Sequence, residues 1–141
     1  MHPFKYEVAL FVTHPEMKAD EICAALPDLS QRDGHGATKG EARTTPSGKK
    51  LAGVYPRSCC VFDLGSAVSS ELGVVDFMRS WNQKLAGQRD FFRRIRAEGG
   101  TIEYSIGWYS EGNTGEEFDL AFLQECADLG IEFSIDFYDR E

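Results

Sequence analysis

The pattern that most constrains this fold is an alternation of side chains near the end of the chain. Between residues 131 and 138, every second side chain is apolar: Ile131, Phe133, Ile135 and Phe137. The side chains between them are mainly polar: Glu132, Ser134, Asp136 and Tyr138. A period of two residues is typical of a β-strand with one buried face. The same period predicts strands over residues 4–12 and 101–109.

A first helix is predicted over residues 15–26, where apolar side chains lie on one side and Pro27 prevents further turns. The start of this helix is open from the sequence. Thr13 and Glu16 have the spacing of a capping box, whereas a later start would place the first turn near Ala19.

Three further helical segments are predicted in the second half of the chain. Ser69 or Ser70 is placed to cap a helix in which apolar side chains recur at helical spacing. A second helical segment follows over residues 88–97. Asp119 is expected to cap the last helix, and Gly130 to end it in the left-handed conformation.

Together with a strand over residues 58–64, these elements predict an α+β fold with a mixed sheet of four to five strands. Because each strand alternates, helices are expected to pack on one face only, which gives an open-faced sandwich. The strands over 101–109 and 131–138 are joined through a helix, so we expect them to be parallel. With 141 residues, the chain is expected to form a single domain over 1–141.

Residues 28–56 are rich in Gly, Ser, Thr, Pro and Lys and lack a sustained apolar period. This composition predicts a long exposed connection, which has room for a short edge strand near residues 51–55. So long a connection is typical of a functional or partly disordered segment. Its glycines Gly34, Gly36 and Gly40 lack the spacing and the following helix of a phosphate-binding loop.

Charge is distributed unevenly along the chain. The net charge of −8 repels phosphate backbones and argues against nucleic acid as a partner. Residues 111–141 contain ten acidic side chains and one basic side chain, whereas residues 39–57 contain five basic side chains and one acidic side chain. An acidic surface favours a basic protein partner, because complementary charge speeds encounter and selects partners.

The sequence contains neither a secretory pattern near its start nor an apolar run of membrane-spanning length, so we expect a cytoplasmic protein without a membrane partner. In that compartment the four cysteines are expected to be thiols. No pair of Cys or His residues has the spacing of a zinc site, and Cys59 and Cys60 are expected to point to opposite sheet faces. We therefore expect no metal, no cofactor and no catalytic residue.

Two surfaces are candidate binding sites. The first is the open sheet face, where carboxylates from several strands are expected to gather: Glu7, Asp63, Glu103, Glu132 and Asp136. The second is the corner after the third long strand, which contains an aromatic side chain and turn-forming residues: Trp108, Gly112, Asn113 and Gly115. A solvated face and an ordinary tight turn are the structural alternatives.

Four segments resemble a bacterial family known as domain of unknown function 4279. They cover residues 20–26, 39–49, 107–115 and 129–138, and the third reads Gly-Trp-Tyr-Ser-Glu-Gly-Asn-Thr-Gly. Members of that family often have a tryptophan in the second strand, where this chain has Cys59 and Cys60. The resemblance implies a small α+β fold in a bacterial cytoplasm and implies no activity.

The sequence therefore favours a non-enzymatic protein-binding domain with an acidic surface, and neutralisation of a toxin is one concrete form of that role. The alternative is a small ligand-binding protein or enzyme with a pocket between the long connection and the helices. Such a pocket would bring Lys39, Arg43 or His35 close to a carboxylate or to Cys59. A homo-oligomer formed through Phe11 or an unpaired sheet edge is a third hypothesis.

Overall fold

The computed structural model describes residues 2–31, 36–45 and 47–139. The strands in this part of the chain are β1 (Lys5–His14), β2 (Ser30–Gln31), β3 (Ala42–Thr44), β4 (Lys50–Val54), β5 (Ser58–Val68), β6 (Thr101–Ser110) and β7 (Ile131–Asp139). The α-helices are α1 (Ala19–Ala25), α2 (Val74–Leu85), α3 (Arg89–Ala97) and α4 (Leu120–Leu129). A turn of 3-10 helix over Ala86–Gln88 joins α2 to α3.

The main sheet has the strand order β2-β5-β1-β6-β7. Neighbouring strands are antiparallel except β6 and β7, which are parallel and are connected through α4. The α+β class, the mixed sheet and the parallel pairing predicted from the sequence are confirmed. β3 and β4 form a separate hairpin. No helix in the described residues has the length and apolar character needed to cross a membrane.

One face of the main sheet packs against the helices and forms the core. On β1 and β6 the core positions alternate as predicted, with fully buried side chains at Leu10, Val12, Ile102 and Ile106. The core also contains a polar contact, because the Tyr104 hydroxyl donates a 2.7 Å hydrogen bond to Oδ1 of the buried Asn82. Because the buried positions alternate and the helices pack on one face of the sheet, the architecture is the predicted open-faced sandwich.

β5 continues four residues beyond its predicted end. The register against β1 shifts between Val8 and Ala9, and Gly65 adopts a φ of 133°, so the strand passes through a bulge instead of ending. The predicted cap at Ser69 or Ser70 is wrong, because α2 begins after Gly73 without a side-chain cap. Ser69 instead accepts a 2.8 Å hydrogen bond from the Phe4 backbone.

The later start of α1 is the one observed, because His14 organises the turn before it. Nδ1 of this buried histidine accepts hydrogen bonds from the backbone N–H groups of Glu16 and Met17 at 2.9 and 2.7 Å. Nδ1 therefore carries no proton, and Nε2–H donates to Glu98 at 2.8 Å. This bond, followed by that from Arg94, lowers the pKa of Glu98.

The described part of the segment predicted as one long connection is largely exposed, but it contains secondary structure. Ser30 pairs with Asp63 at the edge of the sheet, and Ala37 forms an isolated bridge to Cys59. A strand is present near residues 51–55, namely β4, but it pairs with β3 and does not form an edge of the main sheet. Gly34 and His35 lie outside the described residues.

Candidate functional site

The open face of the sheet carries the carboxylates expected from the alternation. The cross-strand register places these five side chains on it: Glu7, Asp63, Glu103, Glu132 and Asp136. Glu132 and Asp136 are exposed, and Nη1 of Arg96 lies 3.3 Å from Glu132. The face is not bare throughout, since Ala9 and Val61 are buried.

Three residues form one row across the open face. Glu7 on β1 is paired with Gly107 on β6, and Gly107 is paired with Asp136 on β7. Adjacent strands are separated by about 4.8 Å, so the two acidic residues lie about 10 Å apart along this row. Because the residue between them is a glycine, the row itself places no side chain between the two acidic residues.

Two tyrosines stack beside this row. The rings of Tyr109 and Tyr138 lie 4.9 Å apart between centroids with an interplanar angle of 14°. The Tyr109 hydroxyl donates a 3.4 Å hydrogen bond to Glu7 Oε2. Both rings reach over Gly107, because a Cβ there would lie 3.4 Å from Tyr109 and 3.7 Å from Tyr138. The tyrosine side chains therefore occupy part of the space that a side chain at residue 107 would take.

These features enclose a concavity of about 250 Å³, which we call the tyrosine pocket. Its floor consists of small residues: Ala9, Ser105 and Gly107. Its walls are aromatic and acidic: Glu7, Phe11, Tyr109, Asp136 and Tyr138. Oxygen atoms and aromatic faces attract cations, so the tyrosine pocket has the chemistry to hold a cationic group.

The predicted corner after β6 is arranged differently from the expectation. Trp108 is only 2% exposed, and its ring stacks on that of Phe4 with 3.7 Å between the ring centroids. Its Nε1–H donates a hydrogen bond to the hydroxyl oxygen of Thr114. Gly112 has a φ of 68°, and His2 covers it closely, since a Cβ at Gly112 would lie 2.8 Å from the imidazole. Trp108 therefore stabilises the fold and presents no binding surface.

The other predicted corner residues lie at the surface. Asn113 is exposed and its carbonyl accepts a 2.7 Å hydrogen bond from the His2 backbone, while Gly115 is half-buried. A concavity of about 350 Å³ lies at this corner, between His2, Pro3 and Glu111. Tyr109 lines both this concavity and the tyrosine pocket. The two predicted surfaces therefore meet at Tyr109.

A larger groove of about 460 Å³ lies between α2 and the segment that follows α1, and we call it the α2 groove. Trp81 and Leu85 line one side of this groove, and Pro27 and Leu29 line the other. The Nζ atom of Lys84 lies 4.4 Å from the centroid of the Trp81 ring. The basic residues expected in such a pocket lie elsewhere. Lys39 pairs with Glu16, and Arg43 donates to the carbonyl of Ala52.

The cysteines have the properties of packed thiols. Burial, and to a smaller extent Glu103, raises the pKa of Cys59. Burial also raises the pKa of Cys60, whose Sγ lies 3.5 Å from that of Cys23. A raised pKa disfavours the thiolate that acts as nucleophile. Among the described residues, no three His, Cys, Asp or Glu side chains gather in a way that could hold a metal ion.

No family model, curated protein or solved structure matches the chain. The resemblance to domain of unknown function 4279 therefore stays a prediction. The site described above rests on its geometry alone.

Sequence reasoning placed the acids on the open face but did not identify Gly107, Tyr109 and Tyr138 as parts of a site. The sequence did contain one indication of this site, which is the glycine at residue 107. Gly107 interrupts an otherwise regular strand, and a glycine inside a strand often marks a place where a ligand approaches the backbone closely. The pairing of Gly107 with Glu7 and Asp136 depends on strand register, which the local pattern does not contain.

Proposed function

We propose that this chain is a non-enzymatic binding protein whose tyrosine pocket accepts an arginine or lysine side chain of a partner protein. The observation that carries the proposal is the row formed by Glu7, Gly107 and Asp136 beneath the stacked tyrosines. The glycine lets the tyrosine rings lie close to this row, so a cation bound at the rings has an acidic residue on each side.

The interactions available in the tyrosine pocket favour a cationic side chain. A guanidinium or ammonium group over a tyrosine ring gains about 0.5–2 kcal/mol, depending on how far it is desolvated. Hydrogen bonds between charged groups contribute about 1.5–3 kcal/mol where they are shielded from water. Arginine fits best, because its planar group can stack on an aromatic ring while it donates to carboxylates.

The size of the tyrosine pocket supports a side chain as its occupant. Sites for cofactors and drug-sized ligands have volumes of about 300–1,000 Å³. The tyrosine pocket, at about 250 Å³, falls below that range. Its position on a sheet face with exposed acids at Glu132 and Asp136 suits docking of a protein surface.

Neutralisation of a basic toxin is one concrete form of this function. It would use the acidic open face to attract the toxin and the tyrosine pocket to hold one basic residue of it. Complementary charge of this kind raises association rates and makes binding sensitive to salt.

The experiment is an NMR titration of the full chain with N-acetylarginine amide. N-acetylcitrulline amide is the matched control, because it has nearly the same shape without the charge. We expect a dissociation constant on the order of 1 mM for arginine, with shifts centred on Gly107 and Tyr138. Equal binding of citrulline would contradict the proposal.

Two variants test whether the acids of the pocket are responsible. Asp136→Asn should weaken arginine binding by about tenfold, which corresponds to about 1.4 kcal/mol. Glu71→Gln removes the same charge from an exposed position outside the tyrosine pocket and should leave binding unchanged. Equal loss in both variants would show that net charge, and not the pocket, holds the cation.

The α2 groove supports a second candidate function, which is binding of a small apolar molecule. Its volume lies in the range for such ligands, and Trp81 and Leu85 offer an apolar lining. A shift pattern centred on Trp81 when the chain is titrated with small uncharged aromatic molecules, together with no response to arginine, would favour this candidate.

A further inference from the structure

The outer edge of β7 borders the tyrosine pocket. Among the described residues, β7 is the last strand of the main sheet and pairs with β6 alone. Its nine residues therefore present a row of backbone N–H and C=O groups on the side away from β6. Such an edge can accept a strand from another chain.

The helix side of this edge is apolar and exposed. The Phe137 side chain is 69% exposed, and on α4 the Leu120 and Leu123 side chains are 69% and 39% exposed. Leu123 and Phe133 line a concavity of about 370 Å³ between α4 and β7. Exposed apolar groups gathered along the open edge of a strand are typical of an interaction site.

The opposite side of the same edge is acidic. Glu132, Asp136 and Tyr138 alternate with the apolar residues and point to the open face. Asp136 and Tyr138 are also walls of the tyrosine pocket. The two sides of β7 therefore differ: the apolar side chains face the helices, and the acids lie on the open face, with Asp136 in the tyrosine pocket and Glu132 paired with Arg96.

We propose that the partner adds an extended strand to β7, with basic side chains on the open-face side and apolar side chains on the α4 side. This inference rests on the proposed function and specifies how the basic residue is delivered. A residue paired with Asp136 would have its Cβ about 5 Å away, and diagonal neighbours at about 7–8 Å are within reach of long side chains. A long basic side chain can therefore extend over β7 towards Gly107.

A second copy of this chain is a poor occupant of the edge. Antiparallel pairing of two β7 strands would bring Glu132 and Asp136 of both copies onto the same face. Like charges placed opposite each other destabilise a strand pair, and each chain carries a net charge of −8. A basic strand satisfies the same backbone groups and gains charge complementarity.

Amide hydrogen exchange of the full chain tests the proposal. The probe is a nine-residue peptide of alternating Lys and Val with blocked ends. At a peptide concentration about 100 times its Kd, exchange of the outward-pointing β7 amides should slow by about 100-fold. Two further peptides are methylated on backbone nitrogens, one at every Val and the other at every Lys. Because the N–H groups of alternate residues point to opposite edges of a strand, each of these peptides lacks the hydrogen-bond donors of one edge. The peptide that lacks the donors facing β7 should give no protection.

Matched variants separate the edge from general surface effects. Phe137→Ser removes an exposed apolar group beside β7 and should weaken peptide binding by about fivefold, or about 1 kcal/mol. Val54→Ser removes a 55% exposed apolar group from the β3–β4 hairpin and should have no effect. Equal effects of the two substitutions would contradict docking at this edge.

The outcomes distinguish this inference from the proposed function. Arginine binding at Gly107 without protection of β7 by the peptide would overturn strand addition and leave the tyrosine pocket. Protection of β7 without shifts at Gly107 would support strand addition and overturn the pocket. Protection that rises with protein concentration in the absence of peptide, together with a dimer in sedimentation, would identify a second copy as the occupant and overturn the basic partner.

Discussion

Gly107 provides the sharpest test of the reasoning, because its substitution should separate stability from binding. A glycine inside a strand costs about 0.5–1 kcal/mol relative to alanine, since the unfolded chain loses more freedom on folding. A Cβ at Gly107 would have its nearest contacts at 3.4 Å and 3.5 Å from Tyr109 and 3.7 Å from Tyr138. These are ordinary van der Waals distances to movable side chains, so the fold can accept the methyl group.

We therefore expect Gly107→Ala to raise the free energy of unfolding by about 0.5–1 kcal/mol, which corresponds to an increase in Tm of about 1–4 °C. Urea denaturation followed by circular dichroism measures the change. The same variant narrows the floor of the tyrosine pocket and should weaken arginine binding by about tenfold in the NMR titration.

Gly100→Ala is the matched control, at the residue just before β6. A Cβ there would lie 2.3 Å from the carbonyl oxygen of Thr13 and 2.6 Å from Ile95. Backbone must shift to relieve such contacts, so we expect a loss of about 1–3 kcal/mol or more. If Gly107→Ala were destabilised as strongly as Gly100→Ala, or bound arginine as the unaltered chain does, the argument that Gly107 serves a binding site would be refuted.

Three further predictions concern stability. Tyr104→Phe should lower the free energy of unfolding by about 1–3 kcal/mol in urea denaturation because it leaves Oδ1 of Asn82 buried without its hydroxyl donor; an unchanged midpoint would contradict this. Asp119→Ala should cost about 0.5–2 kcal/mol by the same assay, since its carboxylate accepts from the Phe122 N–H at 2.9 Å, and Asp119→Asn should retain most of the stability. Burial raises the pKa of Tyr6 to about 12, and it also raises that of Tyr104. The contribution of Tyr6 is therefore complete below about pH 10 and is lost as the pH rises from about 10 to 12, and that of Tyr104 also begins to fall above about pH 10. A urea midpoint that stays constant between pH 10 and 12 would oppose this prediction.

The local features of the fold could be read from the sequence because their causes are local. Alternation over residues 131–138 indicates which side of a strand faces the helices, since successive side chains point to opposite faces. It does not give the extent of burial, because Ile131 is buried whereas Phe137 is 69% exposed. Asp119 and Gly130 mark the ends of α4, because the cap and the left-handed turn each involve residues within one helical turn. The acidic character of the open face followed from the same alternation.

Features that depend on distant pairing could not be read in this way. From the sequence, Gly65 indicates the end of a strand, but pairing with β1 accommodates a bulge there and the strand continues. Ser69 has the sequence position of a helix cap, but its hydroxyl accepts a hydrogen bond from the backbone N–H of Phe4 instead. The hairpin of β3 and β4 has side chains that are exposed on both faces, so it has no apolar period to reveal it.

The sequence by itself determined the four long strands apart from the end of β5, which of their sides is apolar and where the charge accumulates. Only the tertiary structure decided that Glu7, Gly107 and Asp136 share one row and that Tyr109 reaches Glu7, 102 residues away. The physical reason is that strand register results from packing across the whole sheet, whereas alternation is a property of each strand. A pocket built from three strands exists only once that register is set.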